Sequence, residues 1–372
     1  MKTLLKSTIL RLMCYAVSLF CPLKKRRVFF KSYHGARYAC NPRAISEKLH
    51  EMAPGYEILW SFTNPDNVPE CPAYVRKLKS GTLSECLGMF TSKVCVFNAG
   101  IVLPCKRRGQ LFLDTWHGDR AFKKVDVSAD KKSRLADAYR IMDAVLSGSD
   151  YADKVYADAM KFRGEILHYG SPRNDIFFKD NSALVARIRE ALGVTRFERL
   201  VTYAPTFRGE KDGMEPLDFS SLIDSLEKRD GKKWGVLIRQ HYKVKPQESW
   251  KKDERVVDVS AYPEMQDILL VSDVVISDYS SLVGDFALLG RPIVLYVPDL
   301  DEYKSGRGLY FDIEKSPFRY AEKPEGLFKE ILAMDEASAK KNCKEILDFY
   351  GLICEDGMAS ERVCRWIMDK DR

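Results

Sequence analysis

The sequence predicts an α/β protein made of two doubly wound parallel-sheet domains. Three observations predict it. Short apolar segments of strand length alternate with helical stretches along most of the chain. The alternation runs in two series separated by a single helical stretch. The length of 372 residues, 45% of them hydrophobic, is enough to bury the cores of about two ordinary domains and argues against a disordered or fibrous chain.

The first series comprises Val28 to Lys31, Tyr56 to Phe62, Val94 to Asn98, Leu111 to Trp116, Ala144 to Ser149 and Ile166 to Tyr169. The second comprises Leu200 to Ala204, Trp234 to Arg239, Val256 to Val259, Val274 to Ser277 and Ile293 to Val297. Between them, Asn181 to Arg199 reads as a helix carried by Leu184, Ile188 and Leu192 and ended at Gly193. The domain change is placed there, giving 28–185 and 186–372. The tail after Pro324 reads as amphipathic helices that could pack back on the first domain. No internal repeat or low-complexity segment interrupts the pattern.

Residues 1–27 differ from the rest. Leu12 to Leu23 is mostly apolar and is followed by Lys24, Lys25, Arg26 and Arg27, while Thr3, Ser7, Arg11 and Ser18 fall on one stripe at helical period. An amphipathic helix lying in a membrane interface is the simplest reading, since the apolar run is shorter than the ~20 residues a span needs. A tilted span, a signal peptide or a buried helix are the alternatives; no small-residue cleavage site follows the apolar run.

Lys+Arg number 60 against Asp+Glu 53, a net charge of +7. That modest excess suits a phosphate-binding groove or an anionic membrane surface better than a nucleic-acid-coating protein. The 10 cysteines are scattered, with no CxxC pair and no histidine at ligand spacing. Neither a zinc site nor a disulfide framework is indicated, and a reducing, cytosolic setting is expected.

In open parallel sheets, ligands bind beyond the carboxyl ends of strands, so polar residues there are the candidates. His117, in Asp114-Thr115-Trp116-His117-Gly118-Asp119, could act as a general base, or could be a structural histidine at a strand end. Arg239, His241 and Lys243 follow a strand and suit a diphosphate; a solvated basic loop is the alternative. Ser280 and Ser281 follow the Val274 to Ser277 strand, behind Asp278. They could give hydroxyls to phosphate oxygens at the start of a helix, or simply cap it. Asp299-Leu300-Asp301 has the form of a metal-binding pair but is too weak a pattern to assign a metal. Ser305 to Tyr310, with Arg307 between glycines, and Gly170 to Asp175 read either as ligand loops or as ordinary turns.

In order along the chain, these segments resemble the CDP-glycerol glycerophosphotransferases of teichoic acid synthesis. The TWHG block stands at Thr115 to Gly118, G-x-PR-x-D at Gly170 to Asp175, APT-x-R at Ala204 to Arg208, R-x-H at Arg239 to His241 and DYSS at Asp278 to Ser281. Further matches lie at Asn41 to Ile45 and Asp299 to Gly308, so the resemblance covers about Val28 to Asp312. It implies a GT-B-like fold whose two domains face a cleft, with a CDP-activated polyol phosphate donor held mainly by the second domain.

On that pattern His117 and His241 are the catalytic pair. His117 deprotonates an acceptor hydroxyl, while His241, Ser280 and Ser281 hold the diphosphate, and Asp278, Arg208, Arg239 and Arg307 are further donor-binding positions. No metal ligand and no required cofactor are implied, with a divalent cation left open. The implied partners are CDP-glycerol or a similar donor, a lipid-linked glycan acceptor and the membrane surface, reached from the cytoplasmic face as a peripheral protein. No nucleic-acid partner is expected, and self-association is left open. Asp119 stands where the family commonly has Thr, and Tyr242 where Pro is common. A CDP-ribitol enzyme, a GT-B glycosyltransferase using another nucleotide sugar, and a non-catalytic nucleotide-binding module on the membrane are the alternatives.

Overall fold

The computed structural model describes residues 2–101, 105–125, 135–206, 217–240 and 253–371. The chain divides into two compact units. The first comprises Met1–Asp119, Val125–Phe178 and Ile353–Arg372, and the second Arg120–Lys124 and Lys179–Leu352. The division near the middle thus falls at Phe178/Lys179, ahead of the expected 185/186.

The first unit holds a seven-stranded sheet. Its strands are β1 (Lys24–Lys31), β2 (Glu57–Phe62), β3 (Arg76–Lys79), β4 (Ser92–Phe97), β5 (Leu111–Asp114), β6 (Ala144–Leu146) and β7 (Glu165–Leu167). They lie in the order β3-β2-β1-β4-β5-β6-β7, every pairing parallel. The strands are apolar on successive residues because both faces are covered. Val28 and Phe30 join one core with Trp60, Val94, Val96 and Leu113, while Phe29 meets Phe97 on the opposite face. Chain order reverses between β1 and β4, which makes their carboxyl ends the switch point of this sheet.

Helix α1 (Lys2–Phe20) packs Cys14 and Val17 inward and leaves Ile9, Leu12, Tyr15, Leu19 and Phe20 exposed. It lies against α3 (Leu83–Thr91), and Arg107 Nη2 donates to Cys21 O just past its end (2.8 Å). The basic run after the helix has a place in the sheet as well, with Lys24, Lys25 and Arg26 exposed. Lys24 to Arg27 opens β1, and Arg27 is buried opposite Glu57, Nε and Nη2 donating to its two carboxylate oxygens at 2.8 and 2.9 Å. A charged residue is admitted to the strand because the neighbouring strand supplies its partner. The terminal helix Ala359–Asp369 also belongs to this unit. Val363, Cys364 and Ile367 enter its core beside Ile45 and Leu49 of α2 (Cys40–Met52), whereas Pro324–Ala333 and Glu336–Tyr350 stay with the second unit.

The second unit holds a six-stranded parallel sheet ordered β10-β9-β8-β11-β12-β13. Its strands are β8 (Arg199–Tyr203), β9 (Trp234–Ile238), β10 (Val256–Asp258), β11 (Val274–Ser277), β12 (Ile293–Tyr296) and β13 (Tyr320–Ala321). One face packs Val201, Val236, Ile276 and Val294 against Leu222, Leu226, Leu327 and Ile331. The switch point here lies between β8 and β11. Both sheets are therefore doubly wound, as the alternation predicts.

Candidate active site

In the first unit, the polar cluster forms where β1, β4 and β5 end. Asn98 follows β4 and is fully buried. Its Oδ1 accepts from Tyr33 N (2.8 Å) and its Nδ2 donates to Ser32 Oγ (3.0 Å), fastening the loop after β1 to the end of β4. The carbonyl oxygen of the same residue lies 2.5 Å from His117 Nδ1. A carbonyl only accepts, so Nδ1 carries the hydrogen and Nε2 is the basic nitrogen of the neutral ring. Tyr33 meets the imidazole edge-on at 5.3 Å between centroids. His117 is exposed although Thr115, Trp116, Gly118 and Asp119 around it are buried.

The turn that carries His117 is built under constraint. Trp116 has φ 44°, and Tyr33 and His34 after β1 and Cys40 at the start of α2 have φ of 46°, 56° and 66°. Left-handed conformations at non-glycine residues cost on the order of 1–2 kcal/mol each and concentrate where geometry serves function. Asp114 holds the turn: Oδ1 accepts from Trp116 N and Oδ2 from Gly100 N, both at 2.6 Å. Burial raises this carboxyl to about 6, against the opposing pull of the two N–H groups and Tyr139. Asn41 adds a second clamp, donating to Thr115 O (2.9 Å) and Trp116 O (3.1 Å) while accepting from Arg173 N. Asp119 is buried, its Oδ1 accepting from Gly148 N at 3.4 Å.

In the second unit the corresponding cluster sits at the β8/β11 switch point. Asp278 is buried and accepts from Thr206 N with both oxygens, at 3.0 and 2.9 Å, and Ser277 Oγ donates to Ala204 O at 2.6 Å. The Ala-Pro-Thr turn is thus fastened to the Asp-Tyr-Ser-Ser turn. Tyr279 is buried, donates to Asp299 Oδ1 (3.0 Å) and stacks on Tyr303 at 3.7 Å. Ser280 and Ser281 are half-buried. Ser281 occupies the N-cap position of the Leu282–Phe286 helix without a side-chain capping bond. That helix is only five residues long before a 3-10 turn, so its dipole adds little behind the serines. What the turn offers an anion is hydroxyls.

The remaining predicted positions divide. Arg239 turns Nη1 onto the carbonyls of Val259, Ser260 and Tyr262 at 2.9, 2.7 and 2.5 Å, so it holds a loop next to the cluster. Arg307 is exposed just past the Leu300–Gly306 helix. Arg208 and His241 lie outside the described residues. Asp299 is committed to Tyr279, and among the described residues no group of three or more His, Cys, Asp and Glu could hold a metal ion. Sequence reasoning gave no role to Asn98 and quoted Asp114 only within the His117 block; a polar residue ending an apolar strand is the signal that marks both.

The sequence matches the family model described as CDP-Glycerol:Poly(glycerophosphate) glycerophosphotransferase over residues 13–369. The teichoic acid poly(glycerol phosphate) polymerase of Bacillus spizizenii is 30% identical, the match covering 92% of each chain. The polymerase of the same description from Bacillus subtilis is 29% identical over 92% of this chain but 48% of its own, so the present chain spans about half of that relative. Among solved structures, wall teichoic acid polymerase TagF soaked with CDPG superposes with a TM-score of 0.83 at 25% identity, covering 99% of this chain and 95% of that one. Its fold and the blocks ending β5, β8 and β11 are accounted for together: the chain belongs to the CDP-glycerol:poly(glycerophosphate) glycerophosphotransferase family.

Proposed function

We propose that this chain transfers glycerol phosphate from CDP-glycerol to a hydroxyl of a membrane-lipid-linked acceptor, releasing CMP, in teichoic acid synthesis. The observation that carries the reading is the exposed imidazole of His117, whose Nδ1–H is committed to Asn98 O and whose Nε2 is therefore the base. Nε2 takes the proton of the acceptor hydroxyl as its oxygen attacks the phosphorus bearing glycerol. The bond from that phosphorus to the bridging oxygen breaks, and CMP leaves with the electron pair. Negative charge grows on the departing phosphate, where hydroxyl and cationic donors stabilise it. Ser280 and Ser281 supply the hydroxyls. His241 and Arg208 take the roles that their motifs imply, and Arg307 is an exposed cation available to the donor. Asp278 and Arg239 act by holding the loops that carry these groups.

The acceptor is reached at the cytoplasmic face of the membrane, on which the exposed apolar side of α1 rests as a peripheral contact. Among the described residues no helix is long and apolar enough to cross a membrane.

Two measurements test the reading. Purified full-length chain, offered a panel of CDP-glycerol, CDP-ribitol and UDP-sugars with a lipid-linked disaccharide, releases CMP from CDP-glycerol; UMP or UDP release in its place overturns the donor. His117→Ala lowers turnover by about 10²–10⁴-fold, the range general-base catalysis supplies, with CDP affinity unchanged. A variant that turns over like wild type removes His117 from the chemistry.

A further inference from the structure

Three residues after His117, the chain enters the second unit with Arg120, whose side chain is fully buried. Its Nη1 donates to Asp285 Oδ1 at 3.0 Å, and Asp285 Oδ2 accepts from Gln266 Nε2 at 3.1 Å. The Asp285 side chain is itself 4% exposed. Asp285 lies on the helix that Ser281 opens, four positions on and hence on the same face. Gly284, beside it, rests on the arginine stem. A Cβ there would collide with Arg120 Cδ and come within 2.9 Å of its Cβ.

The rest of the segment Arg120–Lys124 is built into the same unit. Tyr350 Oη donates to Arg120 O (3.2 Å), and Tyr310 N to Phe122 O (2.8 Å). Phe122 packs on Phe311 and Phe318. Lys123 bridges Leu309, and Lys124 N donates to Gly308 O (3.1 Å), beside Arg307.

We infer that Arg120 is a positioning residue of the donor side, setting the Ser280–Ser281 turn through Asp285 and Gly284. The Leu282–Phe286 helix buries Val283 and Phe286, and Arg120 adds to that apolar packing an ion pair to Asp285 and a stem fitted against Gly284. A fully buried guanidinium is expensive to desolvate, and an apolar residue of similar size could fill the space at less cost. What an apolar residue could not do is fix the rotation of the helix through a charge-assisted bond. The segment also braces the loop of Arg307, so two donor-side groups lean on one stretch of chain that continues directly from the His117 turn. The inference rests on the donor reading proposed above.

The test uses the full chain, with CDP as calorimetric probe and CMP release as kinetic readout. Arg120→Met is expected to weaken CDP binding at least tenfold and to raise the KM for CDP-glycerol in proportion, with a smaller change in kcat. His117→Ala is expected to show the opposite split. Because Arg120→Met strands Asp285, the double variant Arg120→Met/Asp285→Asn is made alongside it. Recovery of the melting temperature without recovery of CDP affinity is the signature of positioning. Gly284→Ala presses on the same contact from the other side and should weaken CDP binding likewise. A cooperatively folded Arg120→Met or double variant that binds CDP as wild type does overturns the inference. Should wild type bind no CDP, the donor reading itself fails, and the comparison is made with whichever nucleotide the donor panel identifies.

Discussion

Asp114 shows how much of the site depends on a residue that touches no reacting atom. Its two oxygens receive the N–H groups of Trp116 and Gly100, and burial lifts its pKa to about 6 from an ordinary 3.8. A raised folded-state pKa means the folded chain binds the proton more tightly than the unfolded one. Its contribution to stability is therefore complete below about pH 4 and is lost as pH rises through about 6. Keeping the carboxylate ionised at neutral pH costs about 3 kcal/mol, an order-of-magnitude figure from the shift. Asp114→Asn removes this titration. Urea unfolding across pH 4 to 7 should show wild-type stability falling with pH more steeply than that of the variant; equal slopes would show that Asp114 does not titrate in this range. Turnover should run the other way. An acid proton on Asp114 faces an N–H and loosens the Trp116 turn that carries the proposed base His117. Asn98 and Asp114 were legible as polar residues at strand ends but their partners were not: Asn98 bonds Ser32 and Tyr33, and Asp114 reaches Gly100, across strand ends that only the fold brings together. Arg120 was hidden for another reason: a cation just after a His-Gly turn reads as solvated, and only the fold shows it under a helix.

At the level of elements, the apolar strands were readable and the others were not. β3, Arg-Lys-Leu-Lys, is an edge strand burying only Leu78, and β13 is two residues long; neither leaves a periodic signal. The Gly170 to Asp175 block, open between ligand loop and turn in the sequence, has a definite structural task. Asp175 Oδ1 accepts from Ala359 N (2.9 Å) and Oδ2 from Ser360 N (2.8 Å), so it closes the start of the terminal helix from a distant part of the chain. Met358 at the N-cap position supplies no side-chain bond of its own. Two buried N–H groups lose their acceptor in Asp175→Ala, which should cost about 2 kcal/mol. The denaturation midpoint should fall accordingly, and amide exchange at Val363 to Ile367 should accelerate more than in β8 or β11. Uniform acceleration in both units would show that the cap is not local to this helix.

For the molecule as a whole, the proposed function raises the question of how a protein with two buried parallel sheets would meet a lipid-linked acceptor, and under that proposal α1 is the surface to test. Ile9, Leu12, Tyr15, Leu19 and Phe20 are between 47% and 83% exposed, a contiguous apolar side on a helix whose other side is fixed by Cys14, Val17 and the Arg107 bond to Cys21 O. Each such side chain gains on the order of 1–2 kcal/mol when moved from water into an interface. Lys24, Lys25 and Arg26 are exposed just beyond the helix end and add a salt-sensitive attraction to anionic lipid. The substitutions must spare the inward face, so deleting residues 1–27, which would remove half of β1, is the wrong experiment. Leu12→Glu/Tyr15→Glu/Leu19→Glu changes only the outer side. In flotation with vesicles of phosphatidylglycerol and phosphatidylethanolamine, wild type should rise with the lipid, and less so in high salt. The triple variant should stay at the bottom with an unchanged melting temperature, and its turnover on a detergent-solubilised acceptor should be preserved while turnover on vesicle-borne acceptor drops. Flotation of the triple variant at the wild-type level would move the membrane contact elsewhere on the chain.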